Sequence, residues 1–96
     1  MQAIQIMSAL AQASRLRVYE ILVDSLPEGL TAGEISKAVG MSPNGMTPHY
    51  AVLTAAGLIS AEKRGRHVIY RAQTKPVEQL SAFLADAVER GRATER

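Results

Sequence analysis

A mainly helical α+β fold with one β-hairpin follows from three features of the 96-residue sequence. Helix-start and helix-stop residues recur in order along the chain. Apolar residues fall at helical spacing in most segments. Residues 58–71 differ: they are rich in Val, Ile and Tyr around a central Gly, which predicts two strands and a turn. A chain this short is expected to be a single domain over 1–96 with a modest core. Tyr19, Tyr50, Tyr70 and Phe83 are its only aromatics, so that core is aliphatic.

The elements follow in order. Residues 3–12 are dense in Ala, Ile, Leu and Met and predict a helix with little polar face, which something must cover. Ser14 is the expected N-cap of a second helix carrying Val18, Ile21 and Leu22 at helical spacing. Pro27-Glu28-Gly29 breaks it. Thr31 and Glu34 match the capping-box pattern. They predict a short helix with Ile35, Ala38 and Val39 inward, ended by Gly40. Ser42-Pro43 opens the next helix as N-cap and first helical residue. Met46, Tyr50 and Leu53 form its apolar stripe, and Gly57 closes it. Leu58–Lys63 and His67–Arg71 predict strands around a three-residue Arg64-Gly65-Arg66 loop. Thr74 is the expected cap of a last helix with Val77, Leu80, Phe83, Leu84, Ala87 and Val88 on one face. From Glu89 the charged tail is expected to fray.

Two short helices across a tight turn (31–56) and a hairpin (58–72) predict a winged helix-turn-helix. The terminal helices, 1–12 and 76–90, are more apolar than so small a domain can cover. Pairing them across a two-fold axis predicts a homodimer.

Composition narrows the functions. The chain has no Cys, which removes disulfides, thiolate metal sites, iron–sulfur clusters and a Cys nucleophile. No apolar run is long enough to span a membrane, and no basic segment precedes an apolar one at the start, so the expected location is the cytoplasm. Net charge is +2, yet residues 60–71 place Lys63, Arg64, Arg66 and Arg71 against Glu62 alone. Such a cluster on a nearly neutral chain is the footprint of a polyanion surface, or else a solvated charged hairpin.

Ala-Leu-Ala-Gln-Ala-Ser-Arg-Leu-Arg at 9–17 resembles the opening signature of the arsenic-repressor (ArsR/SmtB) family. His-Tyr-Ala-Val-Leu-Thr-Ala-Ala-Gly-Leu-Ile at 49–59 resembles the end of that family's recognition helix. Glu-Lys-Arg-Gly-Arg-His-Val-Ile-Tyr-Arg at 62–71 resembles its wing. The resemblance covers residues 9–88 and implies a homodimeric transcription regulator, usually a repressor released from its operator by a signal. Two departures stand out. The family's metal sites need Cys on the first short helix or His on the last, and this chain has neither, so no metal or other cofactor is expected. Pro48 stands where the recognition helix usually carries Arg, His or Gln.

Helical geometry assigns the contacts. With Met46, Tyr50 and Leu53 inward, Asn44, Thr47, Pro48, Ala51 and Ala55 fall on or near the outer face. Asn44 and Thr47 are base-edge candidates, since Asn pairs with adenine and Thr packs on a thymine methyl; Ala51 also suits that methyl. Ser42 is a cap, or else a phosphate contact at the helix start. Pro48 is expected to kink the helix or distort its first turn. His49 is a candidate phosphate contact at the boundary of the face. Arg64 and Arg66 are the best phosphate or minor-groove ligands, with Lys63 and His67 beside them. Tyr70 suits hairpin anchoring better than DNA contact. Arg15, at a helix start, suits an ion pair or a phosphate.

The expected partners are a double-stranded inverted-repeat operator, a second copy of the chain and an unidentified small-molecule or protein effector. The competing reading is a winged-helix protein–protein module, which the uncharged recognition helix and Pro48 favour and the basic hairpin disfavours. No nucleophile–base pair, metal site or phosphate-binding Gly loop points to an enzyme.

Overall fold

Helix boundaries sit close to where local chemistry puts them. In the computed structural model, which describes residues 1–95, the chain runs α1 (Ala3–Leu10), α2 (Ala13–Asp24), β1 (Leu30–Thr31), α3 (Ala32–Val39), α4 (Pro43–Ala55), β2 (Ile59–Arg64), β3 (His67–Ala72) and α5 (Lys75–Thr94). The capping box forms as expected. The Glu34 N–H donates to the Thr31 hydroxyl at 3.2 Å, and the Thr31 N–H donates to the Glu34 carboxylate at 2.9 Å. These Thr31 groups hold the Glu34 carboxyl below its usual range, with His67 adding a small attraction. Gly40 ends α3 in the left-handed region at φ 71°. Ser42 caps α4 through the Gly45 N–H at 3.2 Å, and Pro43 takes the first helical position.

Several boundaries differ from expectation. Gln12, not Ser14, caps α2: its extended backbone lets the side-chain carbonyl accept from the Arg15 N–H at 2.8 Å. α1 stops at Leu10, because the chain turns at Ala11. Arg15 secures that turn, its guanidinium donating to the Ala9 and Ser8 carbonyls at 2.6 and 3.2 Å. A cation is favourable on the last carbonyls of a helix, so Arg15 serves the C-terminus of α1 rather than opposing α2. Ser36, not Ala38, turns inward beside Ile35. Thr74 already has helical angles and makes no side-chain cap. α5 continues past Glu89 to Thr94. Arg90–Asp86 and Arg92–Glu89 pairs line that stretch, each worth a few tenths of a kcal/mol in a helix, roughly.

α4 runs unbroken through Pro48, so the expected kink is absent. Pro48 is exposed, and the Asn44 carbonyl that loses its donor there belongs to an exposed residue open to water. The hairpin turn is shorter than expected. Arg64 pairs with His67, leaving only Gly65 and Arg66 in the loop, with Gly65 at φ 59° as a tight two-residue hairpin requires.

β1 is an element the sequence pattern does not predict. It joins β3 on the side opposite β2, giving an antiparallel sheet of order β1-β3-β2, with Leu30 opposite Tyr70 and Thr31 opposite Ile69. The approach needs Gly29. At φ 78°, a Cβ there would stand 2.7 Å from Arg71 Cγ and 2.9 Å from Ile69 Cγ2, and closer still to the Tyr70 carbonyl.

Val18, Leu22, Ile35, Met46, Leu53 and Leu58 are the largest fully buried side chains. They come from α2, α3, α4 and the residue before β2, and join the helix-turn-helix to the sheet. Each contributes about 1.5–3 kcal/mol on burial. Ile6 and Ala9 of α1 and Leu80 of α5 complete the cluster. Beyond Leu80 every described residue of α5 is exposed. The radius of gyration is 15.5 Å, against about 12.5 Å for a compact domain of this length. The long axis of 58 Å fits a projecting helix. No helix among the described residues is long and apolar enough to cross a membrane.

Candidate nucleic-acid interface

Strand register sorts the hairpin into two faces. Side chains alternate along a strand, and opposed residues share a face. Ile59/Ala72, Ala61/Tyr70 and Lys63/Val68 therefore lie on one face, and Ser60/Arg71, Glu62/Ile69 and Arg64/His67 on the other. The first face turns to α4, where Tyr50 and Tyr70 stack with ring centroids 4.5 Å apart and planes inclined by 22°.

Between α4 and this face lies a groove of about 660 Å³. Pro43, Asn44, Thr47, Ala51, Thr54 and Ala55 line its helical side, Ala61 and Tyr70 the sheet side, and Ala32 of α3 one end, with Tyr50 beneath. The groove exists because the α4 residues facing it are short. Its lining carries no charge. Below it, the buried hydroxyls of Tyr50 and Ser36 have no well-formed hydrogen bond. Burial raises the Tyr50 pKa, nearby Tyr70 adds to that, and Ser36 offsets part of it.

Cations surround the groove unequally. Lys63 shares the groove's face of the hairpin, and Arg66 sits at the turn. Arg64 lies on the far face, donating to Glu62 at 3.2 Å. Arg71 also donates to Glu62, at 2.6 Å, and to the Pro27 carbonyl at 3.0 Å. Arg71 thus ties the sheet to the loop before β1. Together Arg71 and Arg64 hold the Glu62 carboxyl below its usual range.

The structure therefore brings Asn44 and Thr47 together in the groove, with Lys63 and Arg66 on the adjoining hairpin. Ser42 is exposed and engaged as a cap. Pro48 is exposed but outside the groove lining. His49 is half-buried, its Nδ1 enclosed without a partner. His67 is exposed on the Arg64 face. Among the described residues, no three His, Asp or Glu side chains gather closely enough to hold a metal ion. The groove contacts of Thr54 and Ala61 and the Tyr50–Tyr70 stack escape sequence reasoning, because only the β2–β3 register brings Ala61 and Tyr70 opposite α4.

A trihelical core with a short sheet, its second helix of the pair exposed beside a cationic hairpin, defines a winged helix-turn-helix protein. No family model matches the chain. The chain is 26% identical to the transcriptional activator HlyU of Vibrio cholerae over 83 residues, covering 86% of this chain and 74% of that protein. A crystal structure of the ArsR family transcriptional regulator RHA00566 superposes with a TM-score of 0.80 at 26% identity, covering 92% of this chain and 88% of that one. The homodimeric winged helix-turn-helix DNA-binding domain Mb0332 of Mycobacterium bovis gives 0.72 at 23% identity, covering 93% and 81%. In sequence the chain is thus similar to HTH-type transcriptional regulators, and in fold to ArsR-family winged helix-turn-helix regulators.

Proposed function

We propose that the protein is a homodimeric, non-enzymatic repressor of the cytoplasm that binds an inverted-repeat operator. The observation that carries this is the pairing of a neutral, exposed α4 face with a cationic hairpin across one groove. In this reading 31–56 is the helix-turn-helix, 58–72 the wing, and 1–12 with 76–90 the dimer contact, all in one 1–96 domain. α4 enters the major groove through Asn44 and Thr47, while Lys63, Arg64, Arg66 and His67 meet phosphates or the minor groove. Two-fold pairing sets the α4 helices about 34–36 Å apart, one turn of DNA. The effector is a small molecule or a protein partner.

Binding to the DNA upstream of its own gene, against scrambled DNA and across a salt series, tests the proposal. Selective binding that weakens steeply with salt is expected. Each phosphate contact removed flattens the slope of log K against log salt by about 0.9. An Arg64→Ala/Arg66→Ala dimer, losing both arginines from both wings, flattens it by about 3 to 4. A transcriptional reporter behind that DNA should rise when the protein is removed; a fall would make the protein an activator, as HlyU is named.

Glu62 is the hairpin's one acid and repels phosphate. Glu62→Gln keeps an acceptor for Arg71 but removes the charge. It should tighten DNA binding about two- to fivefold at low salt, with the gain fading as salt rises. Unchanged affinity at low salt would place the Glu62 face away from DNA.

The uncharged α4 also suits a protein-binding winged helix. Equal, weak binding to both DNAs would move the assignment there.

A further inference from the structure

The groove face of α4 is built from short, neutral side chains. From Pro43 to Ala55 the helix contains no Lys, Arg, Asp or Glu, and its one imidazole is that of half-buried His49. Lys and Arg are the usual readers of guanine, and Glu and Asp accept from cytosine. This helix has none of them. It presents instead the Thr47 and Thr54 methyls, the Ala51 methyl and the Asn44 amide, all lining the same groove. Asn reads adenine bidentately, and methyl-bearing side chains pack on the thymine C5-methyl.

We infer that α4 selects half-sites whose major-groove contacts are A·T pairs, read through thymine methyls at Thr47 and Ala51 and through adenine at Asn44. The inference rests on the operator reading above and deepens it. The occupant of the groove's outer face is thus the methyl-bearing edge of duplex DNA. Charge complementarity supports this occupant: the neutral face meets bases, while the flanking Lys63 and Arg66 meet phosphates. Discrimination comes from shape and methyl burial rather than from a cation on α4.

Selection of the full-length protein on a random duplex library, followed by binding to the recovered duplex, tests this. Recovered half-sites should carry A·T pairs at their major-groove contact positions. Replacing contacted thymines by deoxyuridine removes only the methyl, and should weaken binding about fourfold per methyl. Asn44→Ala should relax the preference for one adenine about tenfold or more. Ala51→Arg, which supplies a guanidinium at an exposed position, should shift the recovered sequences toward guanine. Selective recovery of half-sites with guanine at those positions, or deoxyuridine duplexes bound as tightly as thymine ones, would overturn the inference and leave the operator reading standing. Recovery of no preferred sequence would overturn both.

Discussion

Ile4→Glu combined with Phe83→Glu is expected to leave a folded monomer that has lost most of its operator affinity. Ile4 is 82% exposed and Phe83 47% exposed in the single chain, on the two terminal helices. Met7, Leu84 and Val88 stand exposed beside them, while α1 and α5 touch through their other faces. An apolar surface of this kind on a small chain calls for a partner. Because neither side chain fills the core, the charges should spare the fold and act on association alone. A dimer binds its second half-site at high effective concentration, which is worth about 10²–10⁴ in affinity over one half-site. Sedimentation should show the variant at monomer mass, and titration of the operator should show the loss. A variant that still sediments as a dimer would put the interface elsewhere.

Gly29→Ala is expected to be the most destabilising small change in the chain. Its φ of 78° is strained for any residue with a Cβ, and the new methyl would run into Arg71, Ile69 and the Tyr70 carbonyl. The left-handed conformation costs about 1–2 kcal/mol, and relieving the overlap about 1–3 more. A total of about 3 kcal/mol is a large share of the stability of so small a domain. Urea unfolding measures it through the shift in midpoint at unchanged slope. A loss below about 1 kcal/mol would mean that the loop gives way without disturbing β3.

Residues whose structure is decided by near neighbours were legible in the sequence. Thr31 with Glu34, Ser42 with Pro43, and Gly40 all act where local rules place them. The stripe of Met46, Tyr50 and Leu53 is buried as its spacing requires. What stayed illegible depends on distant partners. β1 is too short to carry a periodic pattern and exists because Tyr70 and Ile69 lie opposite it. Arg15 looked misplaced at a helix start until the end of α1 appeared beneath its guanidinium. Pro48 disturbs a helix less when the freed carbonyl faces water. The hairpin shows the same limit at the candidate site. Its cations were plain in the sequence, but register alone separates Lys63, on the groove side, from Arg64, which shares the far face with Glu62.

The stacked rings of Tyr50 and Tyr70 join the helix to the hairpin at mid-length. The stack braces the hairpin against α4, so under the proposed operator reading less internal freedom is lost when both engage one duplex. A ligand that meets preorganised contacts forfeits less entropy on association. Under that reading, a small and largely uncharged reading surface suffices, because the distance between reader and clamp is set before either is used.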